Sequence, residues 1–353
     1  MKILFITPSF STGGAEKNML NIINSINESD FDIYLIVCTR HSNYATLLNK
    51  RIKLYQLGYS DVKGAFPEVF KLIREIRPSI VFTSALHLSL PILFLKKIGV
   101  FSFAKITRIP SLPSNRLGTG GVKGKVMDFF AGKLLNTSTA IIAQTARMRD
   151  EVISFYKAKP EKVVLISNIV DLETIKRMAN EAVTKVTSSF VFIAAGSLYS
   201  AKGFDFLIRA FEMHVREFPS TELHIIGEES VEPGYRNYLE SLISELKLSK
   251  NVFLLGYKQN PYKYFSNADA FVLSSVKEGF PNVVLENIAL NKPVLVTDCV
   301  DFNGIVNQDN GVVVAKQSVE ALLFGLKEVR KLKPKASSFD NFDFNRWFKT
   351  LTK

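Results

Sequence analysis

Two glutamates with seven residues between them are the sharpest chemical feature of this chain: Glu278-Gly279-Phe280-Pro281-Asn282-Val283-Val284-Leu285-Glu286. Pro281 favours a helix start, so Glu278 precedes that helix and Glu286 lies about two turns inside it. The two carboxylates therefore reach different parts of one elongated ligand. Glu278 can hold sugar hydroxyls, Glu286 can hold ribose hydroxyls, and the N–H groups near Phe280, Asn282 and Val283 can cradle phosphate. Two glutamates at this spacing are ordinarily solvated on an amphipathic helix. Glu286, however, stands between Leu285 and Ile288, where a carboxylate is costly unless it binds something.

Two glycine-bearing segments could handle phosphate. Gly196-Ser197-Leu198-Tyr199-Ser200-Ala201-Lys202-Gly203 follows a strand-like run and places Lys202 at a loop-to-helix joint, able to neutralise a diphosphate. Gly13-Gly14-Ala15-Glu16 stands at a similar joint, where the backbone can approach a ligand and a helix N-terminus faces it. It is not the Gly-x-Gly-x-x-Gly dinucleotide fingerprint. No His, Asp or Glu cluster has metal-ligand spacing, so neither a metal nor another cofactor is expected. His87 lies in an apolar run and is read as a packed or capping residue.

The elements that must position these groups alternate. Ile3–Thr7, Phe31–Cys38, Ile52–Leu57, Ile80–Thr83, Ala104–Ile109, Ala140–Ala143 and Val163–Ile166 read as strands, several of them apolar throughout as in parallel sheets covered on both faces. Helical patterns Ala15–Ile26, Pro67–Ile76, Val122–Leu135 and Ala146–Phe155 lie between them. After the polar segment Asp171–Ser189, read as the interdomain crossing, the alternation restarts at Phe190–Ala195 and ends in the helix Val319–Leu332. A basic link, Lys331–Ser338, leads to an aromatic-rich terminal helix over Asn341–Leu351. This predicts an α/β protein of two doubly wound parallel-sheet domains, residues 1–170 and 171–339, with residues 340–353 packing back onto the first.

With 353 residues, 47% apolar and 22% charged, each domain can bury a core. The net charge of +12 suits nucleic acid, anionic lipid or phosphorylated small molecules. No nucleic-acid-reading motif appears, so nucleic acid is not an expected partner. Cys38 and Cys299 sit in apolar runs and are expected as buried free thiols in a reducing compartment. The N-terminal apolar run is broken by Pro8 and does not read as a signal peptide, which points to the cytoplasm. Ser79–Leu95 lacks charge but is interrupted by polar residues, and reads as a buried strand and helix rather than a span. Lys96, Lys97, Phe101, Phe103 and Lys105 follow it and would form a basic, aromatic rim for an anionic membrane face, such as the inner face of the plasma membrane. Nothing in the sequence speaks to oligomeric state.

Together these segments resemble retaining family-4 glycosyltransferases of the GT-B fold, the glycosyl transferases group 1. The resemblance runs through Gly13–Glu16, Ser167–Asp171, Gly196–Phe211, His224–Gly227, Asn251–Gly256, Asn267–Ser275, Glu278–Glu286, Pro293–Asp298 and Asn310-Gly311, in order and over nearly the whole chain. It implies two Rossmann-like domains facing across a cleft, the first for acceptor and the second for a nucleotide sugar. It also implies metal-independent transfer, with retention, of a hexose or N-acetylhexosamine from a nucleotide-diphosphate donor such as a UDP-sugar. The acceptor would be a hydroxyl, as on a lipid-linked saccharide in bacterial surface polysaccharide synthesis.

The resemblance also assigns residues. Glu286 resembles the ribose-binding glutamate, Glu278 the carboxylate on the donor sugar, Lys202 the diphosphate-binding lysine, and Gly13 and Gly14 the loop over the phosphates. Gly196 and Ser197 belong to the same donor-binding segment, and Tyr257 and Lys258 fall where backbone groups frame the base. Three positions depart from the pattern. Ser197 stands where the family often has Arg, a clamp worth about 1.5–3 kcal/mol. Arg108 follows Thr107 where His is frequent, and could supply the missing positive charge to phosphate or acceptor. Gly304 replaces an acidic residue before Ile305-Val306. Two rival readings are a GT-B nucleotide-sugar epimerase and a non-catalytic sugar-nucleotide-binding partner subunit, for which Ser197 is the best argument.

Overall fold

A computed structural model of the chain describes residues 1–353 except 12, 28, 41–42, 117–120, 182–188, 230, 303, 335–340 and 352–353, with the side chains of 115, 116, 122 and 123 also outside it. The chain divides into two compact units, Met1–Ile169 with Asn341–Lys353, and Val170–Asp340.

The N-terminal unit holds a seven-stranded sheet. Its strands are β1 (Lys2–Thr7), β2 (Asp32–Thr39), β3 (Lys53–Tyr59), β4 (Ile80–Thr83), β5 (Ala104–Arg108), β6 (Ala140–Ala143) and β7 (Val163–Leu165), in the order β3-β2-β1-β4-β5-β6-β7. The C-terminal unit holds a six-stranded sheet of β8 (Phe190–Ala195), β9 (Thr221–Ile226), β10 (Val252–Gly256), β11 (Ala270–Leu273), β12 (Val294–Thr297) and β13 (Gly311–Val314), in the order β10-β9-β8-β11-β12-β13. Every pairing is parallel. The strand order reverses direction between β1 and β4 in one sheet and between β8 and β11 in the other. Such switch points open a crevice at the carboxyl ends of the strands, where ligands bind in folds of this kind.

The continuous apolar strands follow from burial on both faces. In β1, Ile3 and Phe5 join one core while Leu4 and Ile6 join another on the opposite face. In β8, Phe192 and Ala194 face one core and Val191 and Ile193 the other. The strand expected from the uncharged run is fully buried as Ile80–Thr83, and a helix, Leu86–Lys97, follows it. The terminal helix Phe344–Thr350 inserts Phe344 and Phe348 beside Phe5 and Phe31 in the N-terminal unit. Both thiols are buried and unpaired, and burial pushes each up to about 12.

Three expectations need correction. The segment read only as a crossing contains a helix, Leu172–Ala179, capped by the Asp171 carboxylate on the Thr174 N–H at 3.0 Å; part of that segment, 182–188, lies outside the described residues. A short helix, Tyr262–Asn267, was not foreseen, and it packs Tyr262 and Phe265 into the core of the C-terminal unit. The basic, aromatic rim does not form as expected. Phe101, Phe103 and Lys105 are buried, and Lys96 donates to the Phe103 carbonyl. The reason is β5 itself, which lies inside the sheet between β4 and β6 and is covered on both faces. Part of the Lys331–Ser338 link lies outside the described residues.

Candidate active site of the C-terminal unit

The loops after β8 and β11 flank the switch point of the C-terminal sheet, and each delivers one charged group. The loop after β8 closes in a turn at Ser200–Lys202 before the helix Phe204–Glu217. Gly203 makes this turn possible. Its φ is +62°, and a β-carbon there would strike the Ser274 carbonyl. Two hydrogen bonds tie the β8 loop to the β11 loop: Ser274 Oγ donates to the Lys202 carbonyl at 2.9 Å, and the Val276 N–H to the Ala201 carbonyl at 2.8 Å.

This scaffold brings Lys202 and Glu278 together although 75 residues separate them in sequence. Lys202 Nζ lies 2.6 Å from Glu278 Oε1, and both side chains are largely buried. Ser275 Oγ donates to the same carboxylate oxygen at 2.7 Å. Burial opposes the lysine's charge, but the charge and hydrogen bond of Glu278 outweigh it and hold the Lys202 pKa above its ordinary value. The lysine is a fixed cation at the mouth of a sheet crevice, with ammonium hydrogens beyond the one spent on Glu278. That arrangement can hold an oxyanion, while the carboxylate can accept hydroxyls.

The helix after Glu278 is Asn282–Ala289, with Pro281 at its N-cap position. Phe280 precedes the cap, and Asn282 and Val283 are the first two helical residues, whose N–H groups have no partner four residues back within the helix. Glu286 is the fifth helical residue, one turn from the start rather than two, because the helix begins only after Pro281. Its Oε1 accepts from the Tyr262 hydroxyl at 3.1 Å, which offsets part of the cost of its partial burial.

Gly196, Ser197, Tyr257 and Lys258 lie on neighbouring carboxyl-end loops. The Gly196 N–H bonds the Ile226 carbonyl at 3.0 Å and Ser197 is exposed. The Tyr257 N–H reaches Glu228 Oε1 at 3.4 Å, so this backbone group, expected to frame a base, is engaged by a carboxylate. Lys258 and Tyr257 line a shallow cavity of about 430 Å³ with Met178, Asn260 and Tyr264. Gly13, Gly14 and Arg108 belong to the N-terminal unit. Gly13 precedes the helix Gly14–Ser25 as its N-cap residue. Arg108 ends β5 and is buried on the face that this helix covers. Its Nη2 donates to Asn168 Oδ1 at 2.9 Å, Nη1 has no partner among the described residues, and burial pushes its pKa down to about 10. Its guanidinium is thus held against Asn168 of the same unit. Among the described residues no group of three or more His, Cys, Asp or Glu side chains is arranged to hold a metal ion.

Ser275, Tyr262 and Glu228 were not singled out from sequence. Ser275 sits three residues before Glu278 and could have been found from that spacing. Tyr262 and Glu228 had no local signal, since each meets its partner through a different strand loop.

Residues 176–343, nearly all of the C-terminal unit, match the family glycosyl transferases group 1. An uncharacterized glycosyltransferase of Methanocaldococcus jannaschii is 32% identical over 243 residues, which covers 66% of this chain and 58% of that protein. The N-acetylgalactosamine-N,N'-diacetylbacillosaminyl-diphospho-undecaprenol 4-alpha-N-acetylgalactosaminyltransferase of Campylobacter jejuni is 28% identical over 234 residues, 63% of this chain and 62% of that one. The chain thus spans about three fifths of the length of these two relatives. The Anabaena protein HepE, solved with UDP and glucose, superposes with a TM-score of 0.78 at 17% identity, over 99% of this chain and 98% of that one. The fold is therefore GT-B, and residues 176–343 match the model of the glycosyl transferases group 1.

Proposed function

We propose that the chain transfers a hexose or N-acetylhexosamine from a nucleotide-diphosphate donor, UDP-linked, to a hydroxyl of a lipid-linked saccharide, with retention and without a metal ion. The observation that carries this reading is the Lys202–Glu278 pair at the switch point of the C-terminal sheet. A diphosphate needs a fixed cation at the atoms where negative charge develops, and Lys202 with the start of the helix Asn282–Ala289 provides one. Glu278 holds hydroxyls of the sugar and Glu286 those of the ribose. The bond from the sugar's anomeric carbon to the diphosphate breaks, the acceptor oxygen bonds to that carbon on the same face, and its proton passes to the departing phosphate. Support for the donor and acceptor classes comes from the UDP and glucose bound to HepE and from the lipid diphosphate in the name of the Campylobacter relative.

The test is a panel of nucleoside-diphosphate sugars, scored by thermal shift and then by product formation in EDTA. One donor should raise the melting temperature by mass action and be consumed with its anomeric configuration kept. A strict manganese requirement, or an inverted product, would overturn the mechanism. Tight donor binding with no turnover on any lipid-linked or free saccharide would favour a binding subunit instead.

A further inference from the structure

The helix Gly121–Leu134 carries two apolar stripes, and only one is used. Met127, Ala131 and Leu134 face inward and pack with Leu86, Leu90 and Leu93 of the helix Leu86–Lys97. Val126, Phe129 and Phe130 recur at the same helical spacing on the outer side and are exposed, Phe129 at 63% and Phe130 at 49%. Their rings pack only edge to face on one another, at 5.7 Å. The partner helix adds Phe94 and its C-terminal neighbours Ile98 and Val100, exposed at 50%, 57% and 43%. Apolar side chains this large, gathered on two packed helices, mark a surface that something covers.

The charge around them selects the occupant. From residue 76 to residue 127 the chain has no Asp or Glu, and of its eight Lys or Arg two, Lys105 and Arg108, are buried. Lys97, Lys125 and Lys133 are exposed beside the apolar side chains, and Lys133 lies over the Phe129 ring at 5.6 Å. Asp128, the first acid after this stretch, is turned to the Tyr156 hydroxyl at 3.3 Å. Aromatic side chains projecting between lysines, with acids removed, suit the headgroup layer of an anionic bilayer: rings enter the acyl boundary and ammonium groups meet phosphates. Among the described residues no helix is long and apolar enough to cross a membrane, so contact through these helices lies at the surface.

We infer that the outer faces of the helices Gly121–Leu134 and Leu86–Lys97 form a docking surface for anionic lipid bilayers, with Phe129 and Phe130 as inserted anchors. The decisive experiment is co-sedimentation of the full chain with vesicles of phosphatidylcholine alone or mixed with phosphatidylglycerol. The parent should partition at least tenfold more onto the anionic vesicles. Phe129→Ser with Phe130→Ser should lower that partition roughly tenfold or more. Lys125→Gln with Lys133→Gln should lower it about fivefold per lysine, and added salt should do the same to the parent. Phe129→Ser alone, at the most exposed position, guards against misfolding of the double variant, and Tyr238→Ser on the C-terminal unit should change nothing. Equal binding to both vesicle types, none to either, or parent-like binding by Phe129→Ser and the double phenylalanine variant would each overturn the assignment. So would a concentration-dependent dimer that Phe129→Ser abolishes, since the face would then meet a second copy. Vesicle binding needs no nucleotide sugar, so its outcome is independent of the transferase reading.

Discussion

The two units share a strand-order switch but place charge differently around it. In the C-terminal unit the loops after β8 and β11 bring a cation and a carboxylate to the edge, paired at 2.6 Å. In the N-terminal unit the corresponding edge, at β1 and β4, carries hydroxyls: Thr7 and Ser84 lie 3.4 Å apart, and Ser9 donates to Glu16 at 2.9 Å. Its cations sit deeper, Lys105 and Arg108 both on β5 and both buried. A paired ammonium at an edge can meet an incoming anion with its remaining hydrogens while the pair stays intact. A cation sunk into a sheet cannot. The C-terminal unit thus holds its charged pair at the edge, whereas Lys105 and Arg108 of the N-terminal unit are buried in its sheet.

The largest effects should therefore come from the C-terminal edge. Lys202→Ala should lower kcat by roughly 10²- to 10³-fold, the cost of losing one preorganised group at developing charge. Glu286→Ala should weaken free nucleoside-diphosphate binding about ten- to a hundred-fold, from loss of a hydrogen bond to a charged acceptor, and Glu286→Gln should lose less. Glu278→Ala should impair transfer while leaving that nucleotide affinity nearly intact, because its proposed partner is the sugar. Calorimetry with the free nucleotide, beside circular dichroism for folding, separates these roles. Parent-like nucleotide binding by Glu286→Ala would move the donor site elsewhere and end the contrast between the units.

What was legible in sequence follows the range of the interactions. Parallel strands covered on both faces leave continuous apolar runs, so β1 to β8 each lie within two residues of their expected bounds. Glu278, Glu286 and Lys202 were visible because each stands beside a glycine or proline that punctuates a loop-to-helix joint. Their partners were not. Tyr262 reaches Glu286 from a helix six residues long, too short for a periodic signal. Lys105 and Phe103 read as a rim because a charged and aromatic run after a helix looks exposed; only the position of β5 inside the sheet reveals that the lysine points inward. The exposed pair Phe129-Phe130 lies in the expected helical pattern Val122–Leu135, where residue type alone does not tell which of two apolar stripes finds a partner.

Lys105 offers a way to sharpen the comparison through stability. Its ammonium is surrounded by the Thr83 hydroxyl at 2.6 Å, the Ile106 carbonyl at 2.6 Å and the Thr107 hydroxyl at 3.2 Å. Burial, with Lys96 adding repulsion, holds its pKa well below the ordinary 10.5. The folded chain thus binds fewer protons here than the unfolded one, so stability rises with pH toward 10.5 and is diminished below it. Lys105→Met, of similar length and apolar, should flatten the rise of stability toward alkaline pH. Urea denaturation of both forms at neutral and alkaline pH checks this. An equal slope in both would mean that Lys105 stays charged when folded and that the N-terminal unit solvates its buried cation fully.

The C-terminal unit also buries a basic group away from its edge, with a different solution. His214 is wholly inaccessible, stacks between Phe211 and Phe218 at 6.0 and 4.8 Å, and has no hydrogen-bond partner on either ring nitrogen among the described residues. Burial first, then the nearby Arg330, brings its pKa down from 6.5 to about 4. The folded state therefore keeps the ring neutral where the unfolded state takes a proton. This contribution is constant above pH 6.5, and stability is lost as the pH falls from 6.5 to about 4, below which both states are protonated. His214→Phe places a ring of similar size among the same phenylalanines and removes two unsatisfied nitrogens, each costing about 1–3 kcal/mol when buried. Less than that should be recovered, because the extra ring atom crowds a filled core. The variant should be modestly more stable at neutral pH and lose less than the parent on acidification across this window. Denaturation midpoints of the two forms above and within it give the difference directly, free of the carboxylates that titrate in both. If the gap between parent and variant did not widen as the pH fell, His214 would have to be protonated in place, and the C-terminal unit would hold a buried cation just as the N-terminal unit does.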